Sequence, residues 1–185
     1  MKRRAVMTAL GVALTVIAAP ARASDPAIVA MTPTKASWSE IKWPFLTDEW
    51  GVGRAFACKA TDCGTDVALY LRAKVGFCSC ATGVADDEEL DRVGDLPLLS
   101  NAFVGLAAGH AIEVDGMSGR GRPYQASLPL WRSQTAVAVV LHAKCDAVVA
   151  TIVAERDHLA EAEREALGFL SGEQVTRWAK LTLGW

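Results

Sequence analysis

The chain has 185 residues, is 51% hydrophobic and 22% charged, and carries a formal net charge of −2. That balance excludes a disordered chain, which needs low hydrophobicity and high net charge, and 15 glycines are far too few for a collagen repeat. Residues 1–23 hold four basic residues and no acid, so a chain without them keeps 15 basic against 21 acidic residues, a net −6 that argues against nucleic-acid or anionic-membrane partners.

Residues 1–23 read as a secretory signal. Lys2, Arg3 and Arg4 form a positive start, Ala5–Ala19 is almost unbroken apolar sequence, and Ala21, Arg22 and Ala23 give the small-x-small pattern of a cleavage site before Ser24. The apolar run is short of the ~20 residues that a membrane span needs, and no second long run follows, so the mature chain is expected to have no span. Adjacent Arg3 and Arg4 raise twin-arginine export, but Lys2 and Ala5–Met7 fit that pattern poorly, which favours an ordinary signal. The expected destination is the periplasm or the medium.

Residues 24–50 read as an extended aromatic lead holding Trp38, Trp43, Phe45 and Trp50, with Pro44 barring a regular helix. Residues 51–185 follow as one domain. Arg54–Ala60 reads as a strand, Asp62–Gly64 as a turn, and Asp66–Cys80 as a strand. Val67, Leu69, Leu71, Ala73 and Val75 alternate with Ala68, Tyr70, Arg72 and Lys74, a period of two that buries one face. Asp86 with Glu89 three residues later makes a capping box for a short helix ended by Gly94. Residues 95–109 have no clear pattern.

His110–Asp115 reads as a strand, Gly116–Gly121 as a glycine turn, and Pro123–Ser127 as a returning edge strand. Thr135–His142 and Ala147–Val153 are Val-rich strands joined by a turn at 144–146. Glu155–Leu170 is Ala/Leu-rich and charged without a β-branched residue, which predicts a helix. Ser171 and Gln174 suggest a second capping box before a last helix whose buried face holds Val175, Trp178, Leu181 and Trp185. Strands first and helices last predict an α+β fold, a mainly antiparallel sheet with C-terminal helices, stapled by disulfides.

Cys58, Cys63, Cys78, Cys80 and Cys145 are the disulfide candidates, as an exported chain permits. Five is odd, so at most two bridges form. Cys78 and Cys80 lie two apart on one predicted strand, nearly 7 Å along it, too far to bridge each other comfortably. Cys58 and Cys63 can close a small loop, but the favoured network joins one of them to Cys78 or Cys80 across the hairpin. Cys145 then takes a remaining cysteine or stays free.

The same sulfurs support two sharper readings. Cys78, Cys80, Cys145 and His142 form a soft donor set suited to Cu(I), although the spacing is not that of a zinc ribbon. Cys145 with His142 also resembles a thiol-enzyme dyad, although a catalytic cysteine must be a free thiolate. The acids at 86–91 point in different directions on a helix and do not converge on calcium. Ser118–Arg122 can form a backbone nest with Arg120 and Arg122 as anion forks, and a basic hairpin tip is its plainer reading. No catalytic set with assigned roles can be assembled, and no cofactor is called for. The expected function is that of a non-enzymatic periplasmic binding or accessory module for an unknown protein or small-molecule partner. Its contact residues would be Trp38, Trp43, Trp50, Arg120 and Arg122.

Overall fold

Alternating apolar runs pair into antiparallel hairpins. In the computed structural model, which describes residues 36–76, 79–126 and 135–184, β1 (Trp38–Ile41), β2 (Arg54–Cys58) and β3 (Val67–Lys74) form an antiparallel meander. The expected signal segment, residues 1–23, and the first part of the expected lead lie outside the described residues. β1 sits inside the aromatic segment and joins the sheet, with Trp38 opposite Cys58.

Two Val-rich strands, β7 (Thr135–Ala143) and β8 (Asp146–Ala154), form the centre of the sheet, joined by a two-residue turn with Lys144 at φ +57. β8 pairs with β3, and β7 pairs with β6 (Met117–Ala126). The outer side of β6 is shared by β4 (Phe103–Gly105) and β5 (His110–Val114). The sheet therefore has eight antiparallel strands, in the order β1-β2-β3-β8-β7-β6-β4 with β5 beside β6.

Helices cover both faces. One core packs Phe56, Leu69, Leu71, Val139 and Ile152 under α4 (Leu159–Leu170) and α5 (Glu173–Leu183), through Leu159, Ala166, Leu170, Val175 and Ala179. The other packs Tyr70, Ala138, Val140 and Val149 under α2 (Asp87–Val93) and α3 (Leu96–Leu99), through Leu90, Val93, Leu96 and Leu99. In chain order, α1 (Ala60–Cys63) is the single turn between β2 and β3. Asp86 caps α2, accepting from the Glu89 N–H at 2.8 Å, as the sequence pattern implies.

Several expectations need correction. β3 is buried on both faces rather than one, because α2 and α3 cover the side that carries Arg72 and Lys74. It ends at Lys74, and residues 75–76 form a turn, so no strand runs on to Cys80. Only Asp115 and Gly116 turn in the glycine stretch, and Gly119 and Gly121 lie inside β6. A methyl on Gly119 would lie 2.0 Å from the Val140 carbonyl oxygen, so glycine here permits close strand approach rather than a bend. Pro123 is also inside β6, facing the join between β4 and β5, where Leu106 donates its N–H to the Pro123 carbonyl.

A 3-10 turn, Arg156–His158, precedes α4, so the helix starts later than its composition suggests. Ser171 does not cap α5. Its hydroxyl donates to the Gly168 carbonyl at 2.7 Å, and Gly172 is the cap residue. The buried face of α5 is Val175, Thr176, Ala179 and Leu183, which leaves Leu181 78% exposed on the opposite side. Trp178 packs partly against the core, and Trp185 lies outside the described residues.

Candidate functional site

The sulfurs settle into two bridges. Cys58 pairs with Cys63 around α1, and Cys80 pairs with Cys145 across 65 residues of sequence. The favoured bridge across the β2–β3 hairpin is therefore wrong. β3 stops six residues before Cys80, which carries that cysteine away from β2 and over to the β7–β8 turn. Cys78 lies outside the described residues.

His142 sits beside this second bridge. Its ring fills the space over Gly83, where a methyl would lie 2.0 Å away, and Gly83 takes φ +59. The loop 79–83 is closed by a Gly83 N–H to Ser79 carbonyl bond of 2.8 Å. With Cys80 and Cys145 joined, neither offers a thiolate to a metal or to a His142 dyad. Among the described residues no group of three His, Cys, Asp or Glu side chains is placed to hold a metal ion.

Arg120 and Arg122 project from β6 onto α2, not from a hairpin tip. Arg120 donates to Asp87 at 2.5 Å and to the Gly109 carbonyl at 2.9 Å. Arg122 donates to Asp91 at 3.0 Å and to the Ala107 carbonyl at 3.0 Å, and the Tyr124 hydroxyl donates to Asp91 as well. Both forks are already engaged by carboxylates of the same chain, and Asp87 and Asp91 fasten α2 to the sheet. The Gly109 N–H and the Arg120 side chain hold the Asp87 carboxyl below the usual range.

The tryptophans do not converge either. Trp38 packs on the α4 side of the sheet and Trp43 on the α2 side, because the chain wraps the edge between them. Trp43 and Phe45 meet Tyr70 edge to face, at 6.0 and 4.9 Å between ring centroids. The Lys74 ammonium lies 5.4 Å from the Trp50 ring centroid. β1, which holds Trp38, and β6 are five strand steps apart, about 24 Å at ~4.8 Å per step, so Trp38 and the two arginines cannot share one small ligand.

A charged network inside the second core has no counterpart among the sequence candidates. The Arg72 side chain is 3% exposed and grips Asp95 through two bonds of 2.6 and 2.9 Å. It also donates to Asp48 at 2.6 Å, and Lys74 donates to Asp95 at 2.8 Å and to the Val93 carbonyl at 2.8 Å. The signal for it was the polar parity of Arg72 and Lys74 in β3. Only the structure shows that helices cover that parity.

A concave feature lies on the first face, where β1 meets the C-terminal end of α4 and the start of α5. It is a groove of about 700 Å³. Trp38 and Phe169 stack on its wall with centroids 4.9 Å apart and planes at 23°, and Phe56 supports Phe169 edge to face at 4.9 Å. Three carboxylates, Asp62, Glu165 and Glu173, line it, and no cationic side chain does among the described residues. Glu165 has Arg164 at 3.7 Å and Glu173 has Arg177, both pairs on the exposed outer side, where such contacts are weak. The helix ends that meet here have opposite dipole signs, so the carboxylates set the sign of the potential.

No protein-family model, curated protein or solved structure matches the chain.

Proposed function

We propose that this chain is an exported, non-enzymatic binding module of the periplasm, and that it seats a cationic partner in the groove over Trp38 and Phe169. The observation that carries this reading is the pairing of a stacked aromatic wall with the carboxylates of Asp62, Glu165 and Glu173 in one groove. An aromatic face attracts a cation through its quadrupole, and carboxylates add longer-range attraction. The leader-like residues 1–23, the net −6 of the remaining chain and the two bridges support the export half of the reading. Among the described residues no helix is long and apolar enough to cross a membrane.

Titration with a lysine-rich peptide and its glutamate counterpart, followed by tryptophan fluorescence, tests the reading. The basic peptide is expected to bind and to weaken as salt is added, while the acidic one leaves the signal flat. Trp38→Ala is expected to lower affinity about tenfold, in line with ~1–2 kcal/mol for a cation over an aromatic ring. Glu165→Gln with Glu173→Gln removes charge at exposed positions without touching the core, and it is expected to weaken binding in the same direction. Equal binding of both peptides would end this reading.

A further inference from the structure

We propose that the groove is one wall of a strand-addition site, in which an extended basic peptide pairs its backbone with the outer edge of β1. This deepens the groove reading above and rests on it. β1 ends the sheet, and among the described residues no strand lies on its far side. Trp38 is half-buried, while Ser39, Glu40 and Ile41 are exposed.

An edge strand offers a row of unpaired N–H and C=O groups, and proteins usually blunt such edges with lysine, proline or a bulge. Trp38–Ile41 is only four residues long and carries Glu40, which both shield an edge in part, but it holds no lysine or proline, and its register with β2 runs without a bulge through all four pairs. Lys42 and Pro44 come only after the strand. At the opposite side of the sheet the edge is divided between β4 and β5, and neither of those strands borders the groove over Trp38 and Phe169.

The register fixes what an added strand would meet. Trp38 pairs with Cys58 and Glu40 with Phe56, both residues of the core beneath α4 and α5. Every second side chain of an added strand therefore points to that face, toward Trp38, Phe169 and the carboxylates of the groove. Glu40 is held by Arg54 at 2.6 Å and Glu173 is paired with Arg177, so the attraction comes mainly from Asp62 and from Glu165, whose contact with Arg164 is a loose 3.7 Å. The intervening side chains fall beside Ser39 and Ile41. The expected occupant is a segment with lysine or arginine at alternate positions and β-branched residues between them, a backbone-plus-pocket mode of recognition. A second copy fits less well. Pairing β1 with β1 brings two acidic groove rims together in a chain whose export form carries net −6.

The test uses the purified chain and a capped eight-residue peptide that alternates lysine and threonine. Its partner is the same peptide N-methylated at every second residue, which removes the donors along one backbone edge and keeps the charge. The unmodified peptide is expected to shift the backbone amides of Ser39–Ile41 in NMR spectra and slow their hydrogen exchange. N-methylation is expected to weaken binding at least tenfold. Equal affinity of the two peptides, with shifts at Glu165 and Glu173 but not at Ser39–Ile41, would overturn strand addition and leave the groove reading standing. No binding by either peptide would overturn both. A chain that sediments as a dimer, with Ser39–Ile41 protected before any peptide is added, would assign the edge to a second copy and overturn the proposal.

Discussion

Arg72 and Lys74 bring two cations into an interior where an unpaired charge costs several kcal/mol, and Asp95 answers both. Asp95→Ala is expected to lower the unfolding free energy by about 3 kcal/mol, measured by urea denaturation, because it removes the buried carboxylate that Arg72 and Lys74 share and leaves Arg72 only the half-exposed Asp48. The pH response follows from two carboxyls of opposite tendency. The hydrogen bond from Arg72 holds the Asp48 carboxyl below the usual range. Its ionised form stabilises the fold above the unfolded value of about 3.9, and that contribution disappears as pH falls through the lower folded value.

Burial pushes Glu163 up, against the attraction of His110 at 3.0 Å. The folded state then holds a proton that the unfolded chain releases, so stability rises as pH falls through the raised value toward about 4.3. Unfolding free energy measured against pH is expected to rise in mild acid and fall below about pH 4. Glu163→Gln removes the rise, and Asp48→Asn blunts the fall.

At the scale of elements, two glycines give opposite expectations. Gly119→Ala forces a methyl against the Val140 carbonyl, so β6 and β7 must part, at a cost of roughly 1–3 kcal/mol. Gly168 lies within α4 with nothing near its missing side chain, so Gly168→Ala is expected to stabilise by about 0.5–1 kcal/mol. Melting of the two variants reads both signs.

The strands were legible where alternation was long, as in β3, or where a Val-rich run had strand length, as in β7 and β8, and α2 was legible from its cap and its stop. β6 was obscured because glycine marks close backbone approach as readily as a turn, and local sequence does not distinguish the two. Leu181 misled because an i, i+3 spacing drawn from Val175 drifts off the stripe that Ala179 and Leu183 continue. The groove was half legible. Trp38 was named, whereas Phe169, Glu165 and Glu173 come from α4 and α5, more than a hundred residues away, and only the folding of the helices over β1 brings them there.

For the whole molecule, the two bridges differ in reach. In the chain-entropy description, closing a loop across 65 residues constrains the unfolded chain by about 4 kcal/mol, against about 2 kcal/mol for one across 5. Replacing Cys80 and Cys145 by serine is therefore expected to cost about twice what replacing Cys58 and Cys63 costs, as read from denaturation midpoints at constant slope.

The long bridge also sets an order of events. In the proposed export, four cysteines, Cys58, Cys63, Cys78 and Cys80, emerge before Cys145 does, and the native partner of Cys80 is still missing while its neighbours meet oxidant. Mispairing among the first four has a head start, and maturation depends on reshuffling once the β7–β8 turn arrives, a process of seconds to hours that an isomerase shortens. Host strains lacking such an isomerase should accumulate the chain as mixed disulfide isomers.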